Sequence, residues 1–276
     1  MNTIIFDGKK HALQREGALR EKTECLRSKK TSPKLVSILI GQDSDSERYL
    51  SLKQKAGERT GVTIEIKRFS ENISEKEVIE FIKKMNINTE IHGIMVQLPI
   101  PEQLASKQKE ILETIVSEKD VDGMREDSLY LAPVVKAVMS VIADAGKCLS
   151  LTQREKIVVV GAKGFVGRRI IKALETTDYE VEGVDLGVGN MEITKDAKIL
   201  ISATGKPNLI KAAMVKEGVV AIDIGASKGD MDFDGVVKKA AYITPVPGGI
   251  GPMTIFHLME NIVNAAVAVE KKDKSC

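Results

Sequence analysis

The chain has no tryptophan, and only six phenylalanines and four tyrosines among 276 residues. So few rings weaken the case for an aromatic platform that stacks nucleic-acid bases. Cysteine is also scarce. Cys25, Cys148 and Cys276 are odd in number and have no metal-ligand spacing. This excludes a disulfide framework and a thiolate metal site, and it is the usage expected in a reducing, cytoplasmic compartment. No stretch reaches the roughly 18 apolar residues of a membrane span, and Met1–Arg15 has no signal-peptide core. The formal net charge is +2, so neither nucleic acid nor a membrane surface is an expected partner.

What is present is an ordinary globular composition, 43% hydrophobic and 29% charged. The length suits one large domain or two ordinary ones. Lys34–Ile40 (KLVSILI) is a nearly unbroken apolar run, as expected of a buried parallel strand. Ser46–Thr60 follows as a helix, Val62–Phe69 as a strand, and Ser74–Met85 as a helix opening on a capping-box pattern. Gly93–Leu98 is a second buried strand, stopped by Pro99 and Pro101. This alternation predicts a first α/β domain with a parallel sheet. Leu129–Ala145 reads as a connecting helix. A second unit then begins, with strands at Ile157–Val160, Tyr179–Val184, Lys198–Ser202 and Val219–Ile224, a helix at Arg168–Thr176, and another between the last two strands. A final helix is expected at Ile255–Val269.

Gly161, Gly164 and Gly167 fall directly after a strand and at the start of a helix. Glycines there allow a tight turn and close backbone approach to a pyrophosphate at the helix N-terminus. Asp185 ends the next strand, where a carboxylate accepts hydrogen bonds from a ribose 2′-hydroxyl and repels a 2′-phosphate. The pattern predicts a dinucleotide site that favours NAD over NADP. The alternative for Asp185 is a turn cap.

Tyr49 and Lys53 are four apart on a helix and share a face. A ring beside an amine can stack a flat ligand, although a lysine snorkelling over a half-buried tyrosine has the same spacing. Gln97 ends a parallel strand, the end at which α/β proteins bind ligands. Asp120 and Asp122 precede Gly123 in a segment that also reads as a solvated turn. Ile243–Thr254 (ITPVPGGIGPMT) packs prolines and glycines into a stiff loop that leads into the last helix.

Taken in order, these segments resemble one family. S-x-x-Y-x-x-x-K at 46–53, G-I-x-V-Q-L-P-x-P at 93–101, K-D-V-D-G at 119–123, the glycine turn, and P-V-P-G-G-x-G-P-M-T at 245–254 are similar to the successive signatures of bifunctional methylenetetrahydrofolate dehydrogenase/cyclohydrolases. The resemblance implies two α/β domains across a cleft. Residues 1–128 with 255–276 would form the folate and catalytic domain, and 146–245 a Rossmann-type dinucleotide-binding domain. Residues 129–145 would connect them, and 246–254 would be a folate-cleft loop.

The resemblance also implies roles. Lys53 would be the catalytic lysine, with Gln97 orienting it, Tyr49 stacking on the folate's aminobenzoate ring, and Asp122 holding the pterin. Val96, Leu98, Pro247, Gly248, Gly249, Gly251 and Pro252 would complete the folate site. Gly161, Ala162, Lys163, Gly164, Val166, Gly167, Asp185, Thr204 and Gly205 would hold NAD(P). The expected partners are tetrahydrofolate derivatives and a second copy of the chain, with no metal. Two departures stand out. The family's P-C-T-P-x-G segment is reduced to Pro133 within Leu129–Val135, and its G-I-N-R loop is shortened to Gly225-Ala226-Ser227-Lys228. These leave a member with one activity, or a non-catalytic binder, as the alternatives.

Overall fold

The computed structural model describes residues 2–152 and 154–273; Cys276 lies outside them. In chain order its strands are β1 (Ile4–Ile5), β2 (Lys34–Ile40), β3 (Thr63–Phe69), β4 (Gly93–Val96), β5 (Lys156–Val160), β6 (Glu180–Val184), β7 (Ile199–Ser202), β8 (Val220–Asp223) and β9 (Tyr242–Ile243). The chain divides into two compact units. One holds residues 13–133 and 255–276, the other residues 1–12 and 134–254.

In the first unit β3, β2 and β4 form a parallel sheet in that order. Successive side chains of a strand point to opposite faces. On one face Val36, Ile38, Ile40, Ile94 and Val96 join Val78 and Ile82 of the helix Glu75–Ile87 in a buried core. Burial of these side chains is the main force on this face, at about 1.5–3 kcal/mol each. The helix opens with the expected capping box, Ser74 and Glu77 satisfying each other's backbone donors. The helix Ser44–Thr60 is capped by Asp43, whose carboxylate accepts from the Ser46 N–H at 2.7 Å, and ends at Gly61 with φ 79°.

The second unit is a six-stranded parallel sheet in the order β1-β9-β8-β7-β5-β6. Here the structure departs from the sequence reading. The first twelve residues group with this unit because β1 pairs with β9, Ile4 opposite Tyr242. A two-residue strand is too short to show a period. The connecting helix is Pro133–Leu149, with Pro133 as its first residue. The helix Phe165–Leu174 starts three residues earlier than expected, directly after Gly164. No long helix lies between β7 and β8, only a single turn at Ala212–Met214. Ile210 is drawn instead into a parallel bridge with Met231, and Pro207 with Asn208 at φ 54° breaks the run. The last helix begins at Ile250, so Gly251 and Pro252 lie in its first turn rather than in a loop. Proline is tolerated there because the first turn has no N–H partner to lose.

Candidate active site

The first unit gathers the predicted residues around Lys53. β4 alternates. Ile94 and Val96 enter the core, while Met95 and Gln97 turn to the opposite face and meet the lysine. Lys53 Nζ donates to Gln97 Oε1 at 2.8 Å and approaches Met95 Sδ at 3.6 Å. Gln97 is itself held, its Nε2 donating to the Leu98 carbonyl at 3.0 Å and its backbone N–H to the Ile38 carbonyl at 2.8 Å. Lys53 is only 9% exposed. Burial lowers its pKa from the ordinary value, and the nearby Asp122 carboxylate opposes the shift. Burial likewise raises the Asp122 pKa, against the pull of Lys53. Each charge therefore partly sustains the other in a poorly solvated place. Tyr49, one helical turn before Lys53, is 37% exposed and presents ring surface outside the core.

The two aspartates of K-D-V-D-G separate cleanly. Asp120 is fully buried and ties its own loop, accepting from the Met124 and Arg125 N–H groups at 3.1 and 2.8 Å. Asp122 accepts no hydrogen bond among the described residues, so its oxygens remain available. The segment after Gly123 is a braced structure. Arg125 pairs with Asp127 through two bonds of 2.7 and 2.8 Å and donates to the Glu113 and Ile115 carbonyls. Ser128 Oγ donates to the Asp120 carbonyl at 2.9 Å. Asn261, on the last helix, donates to the Val121 and Leu131 carbonyls at 2.8 and 3.0 Å. Sequence reasoning missed Met95, Arg125 and Asn261. Only Met95 carried a signal, standing two residues before Gln97 on the same strand face.

Two of the predicted folate residues are limited by packing. The Val96 side chain lies in the core and leaves only its backbone for a ligand. Leu98 packs partly against the same core. Pro247, Gly248, Gly249, Gly251 and Pro252 belong to the other unit. There Gly248 adopts φ 112°, a conformation that glycine takes without strain.

Replacing Arg125 with alanine should loosen the loop that carries Asp122. We expect KM for the folate substrate to rise about 10-fold, the scale of losing a charged hydrogen-bond pair, with unchanged nucleotide binding. Steady-state assays of both half-reactions check this.

In the second unit the glycine turn joins β5 to the helix Phe165–Leu174. Gly161 has φ 87°, and a Cβ there would stand 2.5 Å from the Ala203 carbonyl. A Cβ on Gly167 would stand 2.1 Å from the Gly161 carbonyl. The turn thus has room only for glycine, and the helix N-terminus follows at once, with Val166 in its first turn. The backbone N–H of Lys163 donates to both Asp185 oxygens at 3.1 Å. Asp185 therefore does brace a turn, and its carboxylate is fixed beside the turn of residues 161–164. Ala162 and Lys163 are part of that turn. Thr204 and Gly205 follow β7 on the same edge, since β5 and β7 are neighbours.

Both sheets thus hold their polar groups at the carboxyl ends of parallel strands, where α/β enzymes bind substrates and nucleotides. Comparison with known proteins makes the class specific. Residues 6–122 match the family model of tetrahydrofolate dehydrogenase/cyclohydrolase, catalytic domain, and residues 132–270 match that of its NAD(P)-binding domain. The chain belongs to this family. It is 38% identical to the bifunctional protein FolD of Nautilia profundicola, over 98% of this chain and 99% of the relative. It is 34% identical to that of Bacillus subtilis, over 96% and 98%. Among solved structures, the bifunctional enzyme of Campylobacter jejuni superposes with a TM-score of 0.88 at 34% identity, covering 96% of this chain and 99% of that one. The Trypanosoma brucei enzyme, solved with NADP and an inhibitor, gives 0.87 at 27%, covering 96% and 98%.

Proposed function

We propose that this chain oxidises 5,10-methylenetetrahydrofolate to 5,10-methenyltetrahydrofolate with NAD(P) and hydrolyses the product to 10-formyltetrahydrofolate. The observation that carries the reading is the buried Lys53, bonded to Gln97 and facing the charge of Asp122, in a chain that also has a nucleotide turn.

Hydride leaves a carbon flanked by two nitrogens, whose lone pairs stabilise the cation that forms. The bound dinucleotide supplies the hydride acceptor. The crowded glycines 161 and 167 fit such a group, since they keep side chains away from a pyrophosphate at the helix N-terminus. Gly161–Gly164, Val166, Gly167, Thr204 and Gly205 would hold it. Positioning is most of the protein's contribution to this step.

Hydrolysis needs proton handling. In its neutral form Lys53 accepts a proton from water attacking the methenyl carbon, and as the ammonium it returns a proton to the departing ring nitrogen. Gln97 orients the amine, Tyr49 stacks on the aminobenzoate ring, and Asp122 pairs with the N–H donors of the pterin. Val96 contributes backbone and Leu98 the edge of the site. Pro247, Gly248, Gly249, Gly251 and Pro252 are assigned to the folate by family resemblance. Separate assays with methylene and methenyl substrates test the pair of activities. Turnover of only one would reduce the proposal to a monofunctional enzyme.

NAD is the preferred dinucleotide in this reading, because a fixed Asp185 carboxylate accepts from a ribose hydroxyl and repels a 2′-phosphate. We expect kcat/KM to favour NAD by about 10-fold or more, roughly 1.4 kcal/mol. Asp185→Ser should narrow the ratio. A preference of the unaltered chain for NADP would overturn the assignment.

A cytoplasmic homodimer completes the proposal, supported by the resemblance and by the exposed thiols of Cys25 and Cys148, which a reducing compartment keeps free. Sedimentation at twice the monomer mass checks the assembly.

A further inference from the structure

Two buried carboxylates of the second unit take no part in the chemistry above. Asp230 is 1% exposed and Asp223 is 4% exposed. One oxygen of Asp230, Oδ2, accepts from Ser202 Oγ at 2.9 Å, the Thr204 N–H at 2.6 Å and the Gly205 N–H at 3.3 Å. The Asp230 N–H donates to Asp223 Oδ1 at 2.9 Å. Asp223 also accepts from the Gly225 and Met231 N–H groups at 2.7 and 2.9 Å. Its own N–H donates to Thr244 Oγ1 at 2.8 Å. The network thus joins the carboxyl ends of β7, β8 and β9.

Among the described residues neither carboxylate has an ion-pair partner. Burying two anions without a cation is costly unless donors converge on them. Here the donors are backbone N–H groups and a hydroxyl, and most of those on Asp230 come from one turn. That turn backs onto the nucleotide glycines, because a Cβ on Gly161 would meet the Ala203 carbonyl at 2.5 Å. Its other side is open. Gly205 has φ 64° and nothing within 4 Å of where a Cβ would stand.

We propose that Asp230, supported by Asp223, is a positioning residue for the dinucleotide, fixing the Thr204–Gly205 turn from behind while its open side meets the ligand. The proposal rests on the dinucleotide-binding reading above. An asparagine of the same shape would not serve equally. Its amide oxygen carries no charge to gather three donors, and its NH2 group would face donors in the alternative rotamer.

The test compares Asp230→Asn and Ser202→Ala with the unaltered chain. Binding of NADH and NADPH is followed by nicotinamide fluorescence, the dehydrogenase by KM and kcat, and the cyclohydrolase with no nucleotide present. Asp230→Asn should raise the Kd and KM for the dinucleotide about 10-fold, with kcat within about twofold, the scale of weakened hydrogen bonds to a charged group. Ser202→Ala, which removes one donor and keeps the carboxylate, should move the same constants by about threefold. Cyclohydrolase rates should match those of the unaltered chain. Unchanged dinucleotide Kd in folded Asp230→Asn overturns the proposal. So does a parallel fall of both activities and Tm in both variants, the mark of general structural support. If the unaltered chain binds neither dinucleotide, the underlying reading fails and the proposal with it.

Discussion

Lys53→Met should remove cyclohydrolase activity while leaving the nucleotide site intact. The expected loss is about 10² to 10⁴ in kcat, the usual contribution of a positioned acid or base. Dinucleotide binding, which belongs to the other unit, should not change. Thermal stability should fall only modestly, because the change removes a costly buried charge while leaving Asp122 without its cation. Burial lowers the Lys53 pKa, so in the folded chain this side chain binds fewer protons than it does unfolded. In the window between the lowered pKa and the ordinary 10.5, its contribution to stability rises with pH. Below that window the folded chain carries a disfavoured buried charge, which methionine removes, and the Asp122 carboxylate left without its cation is protonated more readily. The same shift sets the pH profile. In the proposed mechanism neutral Lys53 accepts the proton from water, so the cyclohydrolase rate should climb as pH rises through its pKa, and the climb should begin below the ordinary 10.5. Retained hydrolysis in folded Lys53→Met would remove the lysine from the mechanism. Activity loss together with a collapsed Tm would make it a packing residue.

Gly167→Ala should have the converse effect. The added methyl would stand 2.1 Å from the Gly161 carbonyl, and the obstacle is backbone rather than a movable side chain. Either the helix Phe165–Leu174 shifts away from the sheet or the turn at Gly161 opens, and both spoil the place where a pyrophosphate meets the helix. Overpacking of this kind costs about 3 kcal/mol, or roughly 100-fold in dinucleotide affinity if it falls on the site. Dehydrogenase activity should drop by that factor through KM, while cyclohydrolase measured without nucleotide continues. Equal loss of the two activities would show that the turn supports the whole chain rather than its nucleotide half.

Signals that depend on neighbours in sequence were readable in advance, and those that depend on distant partners were not. The apolar run Lys34–Ile40 is a strand over those same residues, and the Ser74 capping box forms as written. Tyr49 and Lys53 share a helix face by spacing alone. The alternation of β4 could have pointed to Met95 beside Gln97, since both lie on one face of the strand. Asp120 and Asp122 looked alike in sequence, because what separates them is the fold of the loop that Asp120 anchors. Asn261 reaches carbonyls 140 and 130 positions away, and nothing local predicts that. Asp223 and Asp230 offered one faint cue. An aspartate that closes an apolar strand before a glycine must find donors beyond the strand end.

The path of Asn261 has a consequence for the order in which the protein is made. Lys53 is synthesised well before Asn261. The loop that carries Asp122 is pinned by a side chain 140 residues after Val121. At ribosomal rates of roughly 5–20 residues per second, the interval between Lys53 and Asn261 is about 10 to 40 seconds. In the other unit β1 is translated before β9 and waits for it, with Thr3 bonded to a carbonyl 237 residues away. Neither half can close before its later segment is made. A product that lacks the last helix would carry Lys53 and the glycine turn, yet it would lack the asparagine that pins the loop of Asp122.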